Sequence, residues 1–356
     1  MSTRTLLLVR KAVVTGQASW PVLLGSGVLL VSMTIAVALG AVTIPLETTV
    51  RLLLKGILQL PVDSDERAQA TIVYLIRFPR VLTAALVGAS LALSGVVMQG
   101  LFRNPLADSG LIGVSSGGAL GGALVISSGL ATASSLVLPF ATFTGALLTA
   151  FSVYFFATRR GRTALTHLLL IGIAVNALFG ALTTFVLSVA QYEVSRQLLF
   201  WLMGGLDGRS WPHVQMILPF MLGGFFPALF LSRDLNILTL GEETATTLGL
   251  RVEVVKRILL TLSALLAGAA VAVSGTIGFV GLVIPHIMRL VVGPNHRALL
   301  PGAVLGGAIF LVWCDLLART LVPTEELRLG VITAFVGAPL FIHLLLRQER
   351  VQRGGS

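Results

Sequence analysis

The sequence predicts an all-α integral membrane protein in which a single domain, residues 1–356, contains ten transmembrane helices. Two features of its composition lead to this prediction: 55% of the residues are hydrophobic and only 11% are charged. The mean hydropathy of +0.94 agrees with both. Because about 25% of the residues of a typical soluble domain are charged, a chain this apolar requires lipid to cover its surface.

The spans are delimited by charged residues, since a helix needs about 20 mostly apolar residues to cross the hydrocarbon core. The charge-free stretches are 12–46, 81–102, 109–158, 163–192, 210–232, 258–288, 298–314 and 329–346. The third stretch predicts two helices, because the small and polar residues at 127–135 favour a hairpin. In the sixth, the glycines of GTIGFVG at 275–281 and Pro285 predict a full helix to about Gly275 and then a short one to about Val292.

Ten crossings place both termini on the same side of the membrane, and the distribution of charge agrees with this topology. On that side we count 16 Lys or Arg against 6 Asp or Glu, whereas the opposite side has 9 of each sign. Basic residues accumulate on the cytoplasmic face of membrane proteins, so both termini are predicted to be cytoplasmic. The same asymmetry explains the pI of 11.1 through topology and lipid contact, and we expect no nucleic acid partner.

The side chains that could carry out chemistry are dispersed along the chain. The five histidines lie on different segments without metal-ligand spacing, Cys314 is the single cysteine, and no phosphate-binding Gly-Lys-Ser or Gly-Lys-Thr occurs. We therefore predict that the chain is not an enzyme and binds no cofactor or metal, and that any ATP is bound by another polypeptide. Asp315 and Arg319, four residues apart near the outer end of the ninth segment, are interpreted as a structural ion pair rather than an ion-coupling site.

Two stretches of the chain repeat each other. LTAALVGASLALSG at 82–95 aligns without gaps with LSALLAGAAVAVSG at 262–275. The second and seventh segments cross in opposite directions, so the alignment predicts an inverted repeat that relates helices 2–5 to helices 7–10 and an alternating-access path. Gly172 and Asn176 in the fifth segment are candidates for lining that path, with close helix packing as the alternative.

Two loops carry amphipathic segments. The loop 232–257 has Leu and Val at helical spacing among acidic residues, which predicts two short helices on the cytoplasmic surface that dock a partner. On the outer side, a short helix at about 195–206 is predicted, either as a lid over the path or as a helix resting at the membrane interface. Trp201 and Trp211 suit an interfacial position.

Four motifs carry a resemblance to a known family. They are RFPRVLTAALVGASLALSGVVMQGLFRNPLADSGLIGVSSGGALG, LTLGEETATTLGL, GTIGFVGLVIPHIMRLVVGPNHRALLPG and GVITAFVGAPLFIHLL. From about residue 70 to 346, the sequence resembles the permease subunit of bacterial ABC importers for iron chelates, haem and cobalamin. In such permeases the Arg-Asn-Pro-Leu-Ala-Asp turn is a tight cytoplasmic connection, so Pro105 is expected to end a helix and Asp108 to cap the next one.

The resemblance implies a homodimer in the bacterial inner membrane, with two copies of a cytoplasmic P-loop ATPase that bind ATP and Mg²⁺, and a periplasmic substrate-binding protein. The implied path lies on the dimer axis between the fifth and tenth helices, lined by Gly172, Asn176, Gly337 and Pro339. The residues implied in coupling to the ATPase are Leu238, Gly241, Glu242, Glu243, Leu248 and Gly249. The candidates for docking the binding protein are Arg67, Arg77, Arg80, Arg196 and Arg328.

The function expected from this resemblance is ATP-driven import of an iron chelate. RQLLFWLMGGLDGRSWP looks closest to the haem permeases, so haem is the expected substrate, with a ferric siderophore or cobalamin as alternatives. A secondary carrier driven by an ion gradient is the competing hypothesis. It predicts uptake without nucleotide and loss of transport when Asp315 is neutralised.

Overall fold

A computed structural model describes residues 19–40, 42–322 and 325–353. Within these ranges the chain forms fourteen helices, which we number in chain order. They are α1 (Ser19–Ala38), α2 (Leu46–Ile57), α3 (Arg67–Phe102), α4 (Val114–Ser127), α5 (Val137–Ala157), α6 (Leu165–Val189), α7 (Tyr192–Leu202), α8 (Trp211–Phe230), α9 (Ser232–Leu238), α10 (Glu242–Thr247), α11 (Val252–Ser274), α12 (Val280–Val292), α13 (His296–Thr320) and α14 (Leu329–Arg353). A small hairpin, β1 (Thr158–Arg159) and β2 (Arg162–Thr163), joins α5 to α6.

At seven of the ten predicted segments the structure has a helix long and apolar enough to span a membrane, and at the other three it has a shorter apolar helix. The seven are α1, α3, α5, α6, α8, α11 and α13, and the three are α4, α12 and the first part of α14. The 14 residues of α4 and the 13 of α12 each span about 20 Å, less than the ~30 Å hydrocarbon core. These two helices are therefore too short to span the hydrocarbon core by themselves.

The turns between the helices gather at two ends of the bundle. At one, which we call the α9–α10 end, Lys256 donates to the Thr163 carbonyl and Asn236 donates to Asn295. At the other, the α7 end, the Leu329 amide donates to the Gly204 carbonyl. Trp20, near the start of α1, lines a cavity with Val292 and Ala298, close to the α9–α10 end.

The helix α3 runs through the centre of the bundle. In its most apolar window, 94% of the residues are buried, and α13, α11, α12 and α8 pack around it. Glycines allow the closest crossings: a Cβ on Gly88 would overlap the carbonyl of Gly307 on α13, and a Cβ on Gly95 would overlap the carbonyl of Gly281 on α12. Small residues let the helix backbones touch, which supplies packing energy that lipid cannot replace.

The two copies of the internal repeat contact each other, and the first helix of each copy packs against the helices that follow in the other copy. On α3, Ser94 Oγ lies 2.7 Å from Ser263 Oγ on α11, so the end of the first repeat contacts the start of the second, as expected of antiparallel helices. The helix α3 packs on α12 and α13, and α11 packs on α4 and α5. If helices 2–5 and 7–10 are related by an inverted repeat, α4 and α5 correspond to α12 and α13, and this exchange is the arrangement expected.

The chain between α11 and α12 turns back into the bundle. Gly275 ends α11 with φ 67°, and four residues later Phe279 opens α12 with φ 69°. The left-handed conformation is strained for a bulky residue but not for glycine. The predicted full helix to Gly275 and short helix to Val292 are thus confirmed in their bounds, and the bend between them is set partly by an aromatic residue.

A network of ions lies buried at the α7 end. Asp315 on α13 is 1% exposed and forms ion pairs at 3.0 Å with both Arg80 and Arg319. Arg80 also binds Glu326 at 2.9 Å. The predicted pairing of Asp315 with Arg319 is confirmed, and the network extends it to α3 and to the turn before α14.

We expect Asp315→Asn to destabilise the protein by about 3–5 kcal/mol, because it leaves two buried guanidinium groups without their shared carboxylate. The matched control is Asp63→Asn, which breaks an ion pair of an exposed carboxylate with Lys55 and should change stability little. Thermal unfolding of the purified protein in detergent checks this prediction. Equal melting temperatures for the two variants would contradict it.

Candidate functional site

The strongest candidate site is formed by α9 and α10. The loop 232–257 contains the two short helices predicted for it, separated by Gly241 at φ 113° and followed by Gly249 at φ 86°. Both glycines hold backbone conformations that side chains disfavour. Leu235, Leu238 and Ala245 face the bundle and are buried, so α9 and α10 lie against it and do not hang free in solvent.

Lys256 is the ion that fixes α10. It is 1% exposed, and its Nζ donates to Glu242 at 2.6 Å, to Glu253 at 3.1 Å and to the Thr163 carbonyl at 3.0 Å. The Thr163 amide donates to the other oxygen of Glu253 at 3.0 Å. A buried ammonium satisfied by three acceptors thus ties α10, the start of α11 and the β1–β2 hairpin into one unit.

The helix α9 is fixed to α13 through an asparagine. Asn236 Oδ1 accepts from the His296 backbone amide at 3.0 Å, and its Nδ2 donates to Asn295 at 3.0 Å. The turn after α3 lies alongside, with the Arg103 guanidinium next to Gly241. In that turn Asp108 accepts from the Gly110 amide at 2.9 Å and caps the short Ser109–Ile112 turn, whereas α4, the helix that it was expected to cap, has Gly113 at its N-cap. Burial raises the pKa of the Asp108 carboxyl, against the opposing effect of its backbone donors.

Five of the six predicted coupling residues divide into two groups in the structure, and the sixth, Gly241, forms the bend between α9 and α10. Leu238 is buried and Glu242 is bound to Lys256, so these two hold the short helices in place. Glu243, Leu248 and Gly249 are exposed. Together with Leu240, which the sequence analysis did not select, they form a surface that we call the α10 tip, where Leu240 and Leu248 are 64% and 61% exposed.

The two predicted path residues of α6 have packing partners. A Cβ on Gly172 would overlap the Leu111 carbonyl, and the glycine is buried. Asn176 donates to the Gly110 carbonyl at 2.9 Å and accepts from Ser116 at 2.6 Å. Gly172 therefore serves close packing of α6 against the turn that contains Leu111. The half-buried Asn176 holds the same turn, Ser109–Ile112, against α6.

On α14, Gly337 is buried and Pro339 is exposed. A Cβ on Gly337 would lie 2.6 Å from the Cβ of Phe279, so the glycine admits the aromatic residue at the start of α12. The helix faces around both predicted walls are open in this chain: only 11% of the most apolar window of α6 is buried, and Phe335 on α14 is 76% exposed.

Three of the five predicted docking arginines remain available at the α7 end. Arg67 and Arg196 are exposed, and Arg328 is partly exposed, with its guanidinium 4.0 Å from the centre of the Phe200 ring. Arg77 and Arg80 are buried, which contradicts their predicted role in docking the binding protein. Arg77 donates to the carbonyls of Val37, Ala38 and Val42, and Arg80 binds Asp315 and Glu326, so neither guanidinium can reach a partner.

The outer helix α7 lies at Tyr192–Leu202, a few residues before the predicted range of about 195–206. Its Trp201 was expected at the membrane interface but is 9% exposed, with its ring against Gly122. The turn that follows is bound on both sides, since Gly205 donates to the Ser274 carbonyl and Gly330 donates to the Met203 carbonyl. Trp201 is buried because α7 is fastened to α4, α11 and α14.

Comparison with known proteins identifies the class of this molecule. Residues 28–347 match the FecCD transport family, which is 320 of the chain's 356 positions. The chain belongs to the FecCD family. It is the permease subunit of an ABC importer and a multi-pass membrane protein, and permeases of this kind work with ATPase and binding-protein partners.

Individual FecCD relatives carry different names. The cobalamin import system permease of Halobacterium salinarum is 46% identical over 80% of this chain and 75% of its own. The hemin transport system permease of Yersinia pestis is also 46% identical, over 79% of this chain and 84% of its own. An uncharacterized ABC transporter permease of Bacillus subtilis, YvrB, is 39% identical over 92% and 94%.

A solved structure agrees along almost the whole chain. It is an inward-facing ABC transporter assigned to the metal-chelate type. Its superposition on this chain has a TM-score of 0.81 and covers 92% of this chain and 98% of the transporter chain, with 34% of the residues identical. The helices described above therefore have the same fold as this transporter.

Sequence reasoning missed two residues that the structure makes prominent in this FecCD chain. Lys256 was counted with the loop charges, although the Glu253–Lys256 spacing on one helical face signals a pair. In GTIGFVG, the break between the two helices was predicted from the glycines, and Phe279 was not considered. No local signal predicts that an aromatic residue takes the left-handed conformation there, because Gly278 is the expected choice.

Proposed function

We propose that this FecCD permease forms a homodimer in the bacterial inner membrane and imports a large metal chelate by ATP-driven alternating access. A periplasmic binding protein delivers the chelate, and two copies of a cytoplasmic P-loop ATPase bind ATP and Mg²⁺. The permease itself binds no cofactor. The α10 tip is the single observation that supports this most strongly, because two apolar side chains held exposed on a fixed helix pair are suited to a protein groove.

The path is proposed to lie between α6 of one protomer and α14 of its partner, since both helices leave long apolar faces uncovered. Pro339 and Asn176 would border it, and Phe279 would lie at its wall where α12 begins. Ten crossings with both termini cytoplasmic, and an inverted repeat of helices 2–5 and 7–10, complete the proposed architecture. The exchange of partners between α3 and α11 supports that repeat.

For the substrate, haem is our first candidate and cobalamin the second. The relatives named for hemin and for cobalamin import are equally identical to this chain, at 46%, and both substrates are large metal macrocycles. The motif RQLLFWLMGGLDGRSWP favours haem. Binding of haem, cobalamin and ferric siderophores to the cognate binding protein tests the ranking, and strong preference for a siderophore would overturn it.

The coupling assignment is tested by Leu248→Asp combined with Glu243→Lys. Because both residues lie on the α10 tip, we expect copurification of the ATPase to fall at least about tenfold while the permease remains folded, as a charge in an apolar contact is costly. The control, Leu58→Asp, changes a leucine of matched exposure, 63%, at the opposite end. Retention of the ATPase by the double variant would show that α10 is not part of the interface with the ATPase.

Transport in proteoliposomes separates the proposal from the ion-driven carrier. Uptake should require the ATPase, the binding protein and ATP, whereas the permease alone with an imposed ion gradient should accumulate nothing. Accumulation by the permease alone would favour the secondary carrier.

A further inference from the structure

A cavity at the α9–α10 end combines apolar walls with two arginines. It has a volume of about 660 Å³ and lies between α5, α6 and α11, within the ~300–1,000 Å³ typical of ligand sites. Phe151, Phe155, Leu168 and Leu260 contribute to the walls. The aromatic wall is open to its surroundings, since Phe155 is 74% exposed.

The polar residues of this cavity are mainly basic. Arg257 on α11 donates from Nε to the Tyr154 hydroxyl at 3.2 Å, which orients its guanidinium along the rim. Arg159 on β1 also borders the cavity. Among the described residues, no carboxylate lies within salt-bridge distance of either arginine, whereas Lys256, one residue before Arg257, has two.

We propose that this cavity binds an anionic glycerophospholipid, with its phosphate on Arg159 and Arg257 and an acyl chain along the aromatic wall. Charge complementarity decides the occupant: a zwitterionic lipid would gain less from two uncompensated cations, and a free phosphate would leave the apolar wall uncovered. Basic pockets between helices on the cytoplasmic side recognise anionic headgroups in this way. The sequence analysis predicts that the positive charge excess lies on the cytoplasmic side, where anionic lipids attract basic segments.

The position of the cavity predicts an effect on stability. Its rim includes Thr158 and Arg159, and the hairpin they begin ends at Thr163, which is bound by Lys256 and Glu253. A lipid bridging Arg159 and Arg257 would therefore hold the hairpin to α11 beside the Lys256 cluster. Because a ligand that binds only the folded state stabilises it, the lipid should raise the melting temperature without any transport taking place.

The test uses the full-length permease, delipidated in detergent and titrated with phosphatidylglycerol or phosphatidylcholine. Native mass spectrometry counts bound lipid, and thermal unfolding measures its effect. The variant is Arg159→Gln/Arg257→Gln. The control, Arg233→Gln/Arg297→Gln, removes two exposed arginines from the same end of the bundle, outside the cavity. With each arginine near a headgroup worth about 1 kcal/mol, affinity for phosphatidylglycerol should fall at least about tenfold in the variant and stay within about twofold in the control.

A second variant separates the cavity from general surface charge. Thr261→Phe places a ring in the lining and leaves both arginines intact, so it should also weaken phosphatidylglycerol binding. Four results would overturn the proposal: equal affinity of wild type and Arg159→Gln/Arg257→Gln, equal binding of phosphatidylcholine, full stabilisation by inorganic phosphate alone, or cross-links showing that a second copy of the chain or the ATPase covers the cavity.

Discussion

Replacing Gly95 with leucine is expected to abolish the folded permease. The glycine on α3 faces the Gly281 carbonyl on α12 so closely that any Cβ would overlap it. Backbone atoms on both sides leave no flexible side chain to move aside, so the two helices must separate and give up contacts along the centre of the bundle. Overpacking typically costs about 1–3 kcal/mol and occasionally more, and the backbone contact puts this variant at the high end. Size-exclusion chromatography of the expressed protein measures the loss.

The control for Gly95→Leu is Gly223→Leu on α8. No atom lies within 4 Å of a Cβ built on Gly223, so the same change in side chain and helix propensity meets open space. This variant should elute as the wild type does. If the two variants behave alike, the central crossing of α3 and α12 is looser than the structure shows.

The second large effect is expected from Lys256→Met in the complex reconstituted with its ATPase. Methionine keeps the length of the side chain but leaves two carboxylates and the Thr163 carbonyl without their buried donor. Removing one partner of a buried ionic cluster costs about 3–5 kcal/mol. Because this loss falls between α10 and the hairpin, we expect ATP hydrolysis to continue while ATP-dependent uptake drops at least about tenfold.

A double substitution tests the ionic explanation. In Lys256→Met/Glu253→Gln, one of the stranded charges is gone, so uptake should recover part of the loss, and the two effects should not add. Arg297→Met serves as the control for loss of a cation at the same end, because Arg297 is exposed and should leave uptake unchanged. Additive losses in the double variant would show that the cluster does not act as a unit.

The sequence was a good guide wherever the membrane or a single turn set the structure. Charge-free windows located the seven candidate spans and three shorter apolar helices, the loop 232–257 gave its two short helices, and Asp108 capped the turn after α3. Each of these features depends on residues close in the chain, so hydropathy and local hydrogen bonding were sufficient to find it.

The surroundings of Arg77, Arg80 and Gly172 depend on contacts across the fold. Arg77 and Arg80 looked like outer basic residues, but Arg77 is bound by carbonyls in and just after α1, and Arg80 is bound by carboxylates in and just after α13. Gly172 looked like a path residue because small residues suit both a path and a close crossing. Only the position of Leu111 decides between the two, and that position is set by the tertiary structure, which a single helix does not reveal.

The burial of α3 has a consequence for biogenesis. Because this helix is synthesised early, it enters the bilayer long before α13 exists, and Arg80 meets Asp315 only after another 235 residues have been added. During that interval the guanidinium must be screened by water, lipid phosphate or an insertase. The helix that ends as the innermost part of the molecule must therefore begin in contact with lipid and be enclosed as the later helices arrive, so nascent chains that stop before α13 should be recognised and degraded.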